Sequence, residues 1–239
     1  MDNFVLMFSA RQISSKIHHH LALQIVFTTH IPFNSVIAGM EYEKIYGFMV
    51  KPNITHACTV TEGELNIINI EPYSTTGKFI NQMFSQGNDV IVFETKQEFQ
   101  HHFDLNKTDI LNSLHQKINT YSNLPKQDSR MLKVIDYLNQ NFHLQNLNPH
   151  FLSQMINLSS SRFSVLFKEY TGASLSRYLL WLRLRKAINL SLLEKGLSLT
   201  NIAIEAGFYD LPQLNKYMKE MIGVPPQIFK QYSNLIQAY

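Results

Sequence analysis

The stretch Ile202-Ala203-Ile204-Glu205-Ala206-Gly207-Phe208-Tyr209-Asp210 reads as a short helix, a tight turn and the cap of a second helix. Ala203 places a small residue inside the first helix, where another helix must approach closely. Gly207, four residues on, suits left-handed backbone, which side chains with a Cβ resist. Asp210 is an N-cap residue ahead of a helix through Leu214–Met218. The same order occurs 50 residues upstream: Leu152-Ser153, then Asn157, Leu158 and Ser159, then a helix through Phe163–Phe167. A small residue, a turn residue four later and a capped helix describe a helix-turn-helix, and the unit is duplicated. A single copy reads equally well as an ordinary helical hairpin; two copies favour a paired reading module.

Punctuation around the repeat is consistently helical. Asp128 caps a helix over 129–141, and Asn148-Pro149 offers an N-cap followed by proline at the first helical position. Ser159 starts a helix ending near Thr171-Gly172, and Ser174 starts a long one through Leu193, stopped by Lys195-Gly196. Ser198 and Asp210 cap two more, and Gly223 with Pro225-Pro226 ends the last. The front of the chain differs. Its apolar runs are short, at Phe4–Phe8, Leu21–Phe27, Gly47–Val50, Glu64–Ile70 and Val90–Phe93. Turn signals separate them at Pro32-Phe33-Asn34, Lys51-Pro52-Asn53, Glu62-Gly63 and Gly87-Asn88-Asp89, the pattern of a β-sandwich or small barrel. From Lys96 to Asn119 the period turns helical, with Phe99, Phe103, Ile110, Leu111, Leu114 and Ile118 on one expected buried face.

The whole chain has 239 residues, 45% apolar and 16% charged, enough to bury a core and unlike a disordered chain. No apolar run reaches the ~18 residues of a membrane span, and Met1-Asp2-Asn3-Phe4 does not begin a secretory leader. One cysteine, Cys58, excludes an internal disulfide framework and fits a reducing cytosol. The net charge of +3 hides an asymmetry. Through Gln127 there are nine Lys/Arg and eleven Asp/Glu, and from Asp128 there are twelve and seven, so the halves carry −2 and +5. A polyanion partner confined to the second half accounts for this, as does a chance gradient. The change falls in Tyr121-Ser-Asn-Leu-Pro-Lys-Gln-Asp128, which reads as a linker.

The segment from Ile202 to Asp210, continuing to Lys216, Lys219, Gly223 and Pro226, with Tyr178, Leu182-Arg183-Leu184, Ala187 and Leu193 before it, closely resembles the signature of the AraC/XylS family of transcription regulators. The resemblance runs from about Met131 to Tyr232. It implies an α+β chain in two domains, a β-rich cupin-like barrel with a helical segment over 1–121 and an all-α DNA-binding domain over 129–236, with 122–128 as linker. In the all-α domain two helix-turn-helix units are joined by a long helix, which at ~1.5 Å per residue holds them about one turn of DNA apart. Matched residue by residue, the family pattern assigns base readout to Ser161, Ser164 and Val165 in the first unit, and to Leu211, Pro212, Gln213 and Lys216 in the second. Gln213 suits adenine and Lys216 suits guanine. Ser160, Arg162, Arg177 and Lys219 complete the DNA-binding set, with Lys168, Arg183, Arg185, Lys186 and Lys230 as further phosphate candidates. The resemblance also suggests a structural ion pair of Arg183 with Glu205 or Asp210. Phe163, Leu166, Phe167, Leu214 and Met218 are expected in the core. Pro212, Leu214 and Met218 stand where the family has serine and aromatics, and Ser153 and Asn157 where it has alanine and glycine.

In the front half, His18-His19-His20-Leu21, Gln24 and Gly47 through His56 resemble a small cupin-type sensor domain. His18 and His20 alternate onto one strand face, and His56 can approach from a neighbour. Three imidazoles with an open position suit zinc or iron; the plainer reading, adopted as the expectation, is a metal-free pocket, with no cofactor. Cys58 reads as a small buried apolar residue. No nucleophile elbow, phosphate-binding glycine loop or paired catalytic carboxylates occur, so the chain is not read as an enzyme. The leading reading is a cytoplasmic, sequence-specific transcription regulator, an activator. Its partners are double-stranded promoter DNA, RNA polymerase, a small-molecule effector and a second copy of itself, with no membrane. The alternatives are a metal-dependent cupin enzyme or metal sensor carrying a DNA-binding module, and a nucleoid-type binder indifferent to sequence.

Overall fold

The structure is a computed structural model that describes residues 5–11, 13–103, 110, 113, 114, 118, 128–144, 146–194 and 196–231. These divide into two compact units: the first holds the described residues through 118 together with 219–224, the second holds 128–218 and 225–231.

Among the described residues, eight strands precede residue 94: β1 Val5–Arg11, β2 Leu23–Phe27, β3 Phe33–Ile37, β4 Met40–Ile45, β5 Gly47–Val50, β6 His56–Thr59, β7 Glu64–Ile70 and β8 Val90–Phe93. They form a five-stranded sheet, ordered β1-β7-β2-β5-β8, and a three-stranded sheet, ordered β4-β3-β6. Every pairing is antiparallel. Strand β2 is buried at all five positions, so its two faces have different neighbours. Leu23, Ile25 and Phe27 join a core with Phe79 and Ile80 of α1 (Thr75–Asn81) and Phe99 and Phe103 of α2 (Lys96–Phe103). Gln24 and Val26 alternate onto the opposite face and line a small cavity with Ile67 and Asn69 of β7 and Cys58 of β6.

Three strands and one helix lie where the sequence pattern is silent. Residues Phe33 and Asn34 open β3 instead of forming a turn. Its partner β4, sequence MEYEKI, is largely exposed and so shows no apolar alternation. Helix α1 is only seven residues long and depends on its cap, the Ser74 hydroxyl accepting from the Gly77 amide at 2.9 Å. The helical stretch after α2 places Ile110 and Leu114 in the core and Ile118 half-buried, while Leu111 lies outside the described residues.

Among the described residues from 128 on, seven helices follow: α3 Ser129–Asn141, α4 Pro149–Gln154, α5 Ser160–Thr171, α6 Leu175–Leu193, α7 Leu199–Glu205, α8 Leu211–Met221 and α9 Pro226–Gln231. The expected caps are all in place. Asp128, Asn148, Ser159, Ser174 and Ser198 each accept a first-turn amide, and Asp210 accepts from Gln213 at 2.8 Å. Helix α6 is buried round most of its circumference, through Tyr178, Trp181, Leu182, Leu184, Ala187, Ile188 and Leu192, and it packs on α5, α7 and α9. A helix buried on so many sides has to lie among other helices, and α6 does.

One packing contact gives a test of the first unit. A Cβ on Gly77 would stand 2.1 Å from the Glu71 carbonyl oxygen and 2.8 Å from the Pro72 Cα. Gly77→Ala should therefore cost ~1–3 kcal/mol, read as a lower urea midpoint at unchanged slope; an unchanged midpoint would mean α1 docks less tightly than described.

Candidate functional site

The two turns between α4 and α5 and between α7 and α8 are closed by the same hydrogen bonds. In the first, Asn157 donates to the Gln154 carbonyl at 3.3 Å and Leu158 to Ser153 at 3.0 Å. In the second, Gly207 donates to Ile204 and Phe208 to Ala203, both at 2.9 Å. Asn157 and Gly207 both adopt left-handed backbone, with φ of 55° and 87°. Asparagine tolerates this conformation better than most side chains, which explains its use in the first turn. Ser153 and Ala203 are both buried, and the Ser153 hydroxyl is satisfied by the His150 carbonyl at 2.8 Å. The repeat seen in sequence is thus a repeat in geometry.

Arg183 does not form the expected ion pair: among the described residues none joins it to Glu205 or Asp210. Its side chain instead lies across the second turn, where a Cβ on Gly207 would meet Nε at 3.3 Å and the Cδ and Cγ atoms at 3.5 Å. Gly207 therefore serves twice, for its backbone and for the room it leaves the guanidinium. Glu205 stays exposed.

Helices α5 and α8 present the sequence-predicted reading residues unevenly. Ser161, Arg162, Ser164 and Val165 are exposed on the first turns of α5, Val165 to 59%, and Ser160 is half-buried. The Ser164 hydroxyl donates back to the Ser160 carbonyl, which leaves its oxygen as an acceptor. On α8, Pro212, Lys216 and Lys219 are exposed, while Leu211 and Gln213 are half-buried. The Gln213 Oε1 accepts from the Tyr209 amide at 2.8 Å while its own amide binds Asp210, a reciprocal capping arrangement. Bidentate pairing to adenine would require Gln213 to release that bond. Phe163, Phe167, Leu214 and Met218 are buried as expected, and Leu166 is half-buried. Among the other phosphate candidates, Lys168 and Lys186 are exposed, whereas Arg177, Arg183 and Arg185 are half-buried. Lys230 donates to the Leu197 carbonyl at 2.5 Å, so its ammonium is engaged within the helical fold. Tyr209, 85% exposed beside the start of α8, belongs to this surface and was not anticipated; its only sequence signal is an aromatic next to a cap.

The three histidines of the front half also come together. His18 and His56 form an antiparallel bridge, donating to each other's carbonyls at 3.0 and 2.9 Å. His18 precedes β2 rather than lying within it. The ring centroids of His56 lie 4.3 Å from His18 and 5.0 Å from His20. All three residues are buried. Desolvation, together with the neighbouring imidazoles, pulls His18 down to about 4, His56 to about 3 and His20 well below its ordinary value. Burial pushes the Cys58 thiol up to about 12, so it is an unreactive apolar neighbour.

Two equivalent capped turns on either side of one long buried helix define a paired helix-turn-helix module. Residues 152–232 match the family described as a helix-turn-helix domain. In sequence the chain is similar to the HTH-type transcriptional regulator GbdR of Pseudomonas aeruginosa, strains UCBPP-PA14 and PAO1, with 27% identity over 117 residues. That alignment takes in 49% of this chain and 31% of GbdR, so the match spans about a third of the curated relative. In fold the chain is similar to ToxT from Vibrio cholerae in its P21 crystal form, with a TM-score of 0.59, 11% identity, and coverage of 99% of this chain and 100% of that one. The unsaturated fatty acid bound form of wild-type ToxT gives 0.57 and 13%, covering 99% and 98%. The fold is accordingly a β-rich part followed by an all-α part, as the sequence implied.

The histidine cluster has a pH signature. Its rings are neutral when folded and take up protons when unfolded below pH ~6.5. Stability is therefore fully present above that value and is lost as pH falls toward about 4 for His18 and about 3 for His56. Urea midpoints in chelator-containing buffer should drop between pH 7 and pH 5; a flat profile would show that the imidazoles are solvated.

Proposed function

We propose that the chain is a sequence-specific DNA-binding transcription regulator of the cytoplasm, an activator and not an enzyme. In this reading 129–236 form the reading domain, 122–128 the linker, and 1–121 a sensing or dimerisation domain. The observation that carries it is the pair of identical capped turns followed by exposed helix starts. At those starts Ser161, Arg162, Ser164 and Val165 on α5, and Pro212 and Lys216 on α8, stand clear of the core, with Lys219 exposed in the last turn of α8. Helix α6, with 19 residues, measures ~28 Å at ~1.5 Å per residue. That length is close to the ~34 Å between successive major grooves on one face of B-DNA.

The first helix start is poor in long hydrogen-bonding side chains, so base discrimination falls mainly to Lys216, supplemented by DNA shape. Arg162, Lys168, Arg177, Lys186 and Lys219 are placed in the phosphate role, with the amides of the capped helix starts. Tyr209 and Ser160 flank these contacts. The proposed partners are double-stranded promoter DNA, RNA polymerase and a second copy of the chain. A small-molecule effector is supported by the fatty-acid-bound form of ToxT and by the cavity beside Gln24 and Asn69, whose side chains pair at 2.9 Å. Among the described residues no helix is long and apolar enough to cross a membrane.

Selection of genomic fragments by the full-length protein should enrich a site of about two helical turns; equal recovery of random DNA would support the nucleoid-type reading instead. On that site Lys216→Ala should cost ~1–3 kcal/mol and relax preference at one base position. Arg162→Ala or Lys219→Ala should weaken all sequences alike and reduce the salt slope by ~1. Uniform weakening by Lys216→Ala would reassign that lysine to a phosphate.

A further inference from the structure

The side chains of His18, His20 and His56 share one arrangement. Each Nδ1 lies within hydrogen-bond distance of a backbone carbonyl two residues away: His18 to Lys16 at 2.8 Å, His20 to Ala22 at 3.0 Å, His56 to Ile54 at 2.8 Å. A carbonyl oxygen only accepts, so each Nδ1 carries the proton, and each neutral ring keeps its lone pair on Nε2. The His56 Nε2 is buried and meets no hydrogen-bond donor. The His56 lone pair has thus given up water without gaining a donor, a poor packing solution for a core. The pattern has a familiar chemical use: metal-bound imidazoles hold their second nitrogen in a hydrogen bond to a carbonyl or carboxylate, which fixes tautomer and ring plane.

From this geometry we infer that His18, His20 and His56 form a three-histidine site for a divalent transition metal ion, zinc or iron(II), bound through the three Nε2 atoms. One ring nitrogen from each of the three histidines lies within 4.8 Å of those of the other two. Nitrogens bound to a tetrahedral ion at ~2.0–2.1 Å would stand ~3.4 Å apart, so metal binding would draw the three rings together. Neutral imidazoles suit zinc, copper, iron and nickel over magnesium or calcium. Three protein ligands leave one position open, the composition of a site that binds an exchangeable ligand and not a closed structural one. His18 also lines the cavity that holds Gln24 and Asn69, so a small ligand in that cavity would adjoin the site. The site departs from the expectation of a metal-free pocket, which rested on motif spacing alone. It does not depend on the DNA-binding reading, since none of its ligands belongs to the helix-turn-helix surface.

The test uses untagged full-length protein stripped with chelator and titrated with cobalt(II), then with zinc. One equivalent of cobalt should bind, with visible d–d absorption and three exchangeable proton resonances, shifted by the paramagnetic ion, from the Nδ1–H groups held by carbonyls. Zinc should displace the cobalt. His20→Ala and His56→Ala should weaken uptake by more than the ~10–100-fold that loss of an outer-shell partner costs, while His101→Ala and His150→Ala leave it unchanged. Absence of saturable uptake by folded wild-type protein would overturn the inference. So would uptake that survives in the His20 and His56 variants, or that lacks the three shifted resonances. Should either variant fail to fold, the wild-type resonances decide the matter.

Discussion

Helix α6 is the constraint on which the helical part depends. Its buried residues, from Leu175 through Leu192, point in every direction round the axis, so it cannot rest on a surface. It has to be enclosed, and what encloses it are the helices of the two capped turns: α5 on one side, α7 on another, with α9 closing the sheath. Packing both units onto one stiff element removes their freedom to move separately. Proline at a central position such as Ile188, fully buried, would break that element at ~3 kcal/mol or more. The spacing of the two reading helices is thus a property of a single helix and not of a linker.

Much of this was legible in the residues. The starts of α3 to α8 are each announced by a side chain that accepts an amide, and every such cap forms. Caps are local, set by three or four residues, and tertiary packing seldom overrides them. The duplicated turn was visible for the same reason, since Asn157 and Gly207 need left-handed backbone wherever the helices go. Strands were harder. Buried β2, β5 and β7 showed as apolar runs, but β4 is exposed, and β3 begins on residues that resemble a turn. An edge strand has no core to write a pattern into its sequence.

The sites divided the same way. Which residues face outward on α5 and α8 followed from helical period, but side-chain partners did not. Gln213 turned back to cap its own helix, Lys230 found the Leu197 carbonyl, and Arg183 lay over Gly207 instead of pairing with an acid. Flexible polar side chains choose among nearby acceptors, and that choice depends on atoms far away in sequence. The histidines show the converse. Spacing raised them as candidates, and the three Nδ1–carbonyl bonds supplied what spacing lacked, a common tautomer.

The central claim is that one chain reads two successive major grooves through a rigid spacer. Footprinting of the full-length protein on its selected site, with five base pairs inserted between the two half-sites, tests it most directly. Half a helical turn rotates the second groove to the opposite face. The account predicts loss of the footprint over one half-site and a large fall in affinity, with recovery of neither by raising protein concentration modestly. A footprint as strong as on the native site would contradict it, because the two units would then be reading DNA independently.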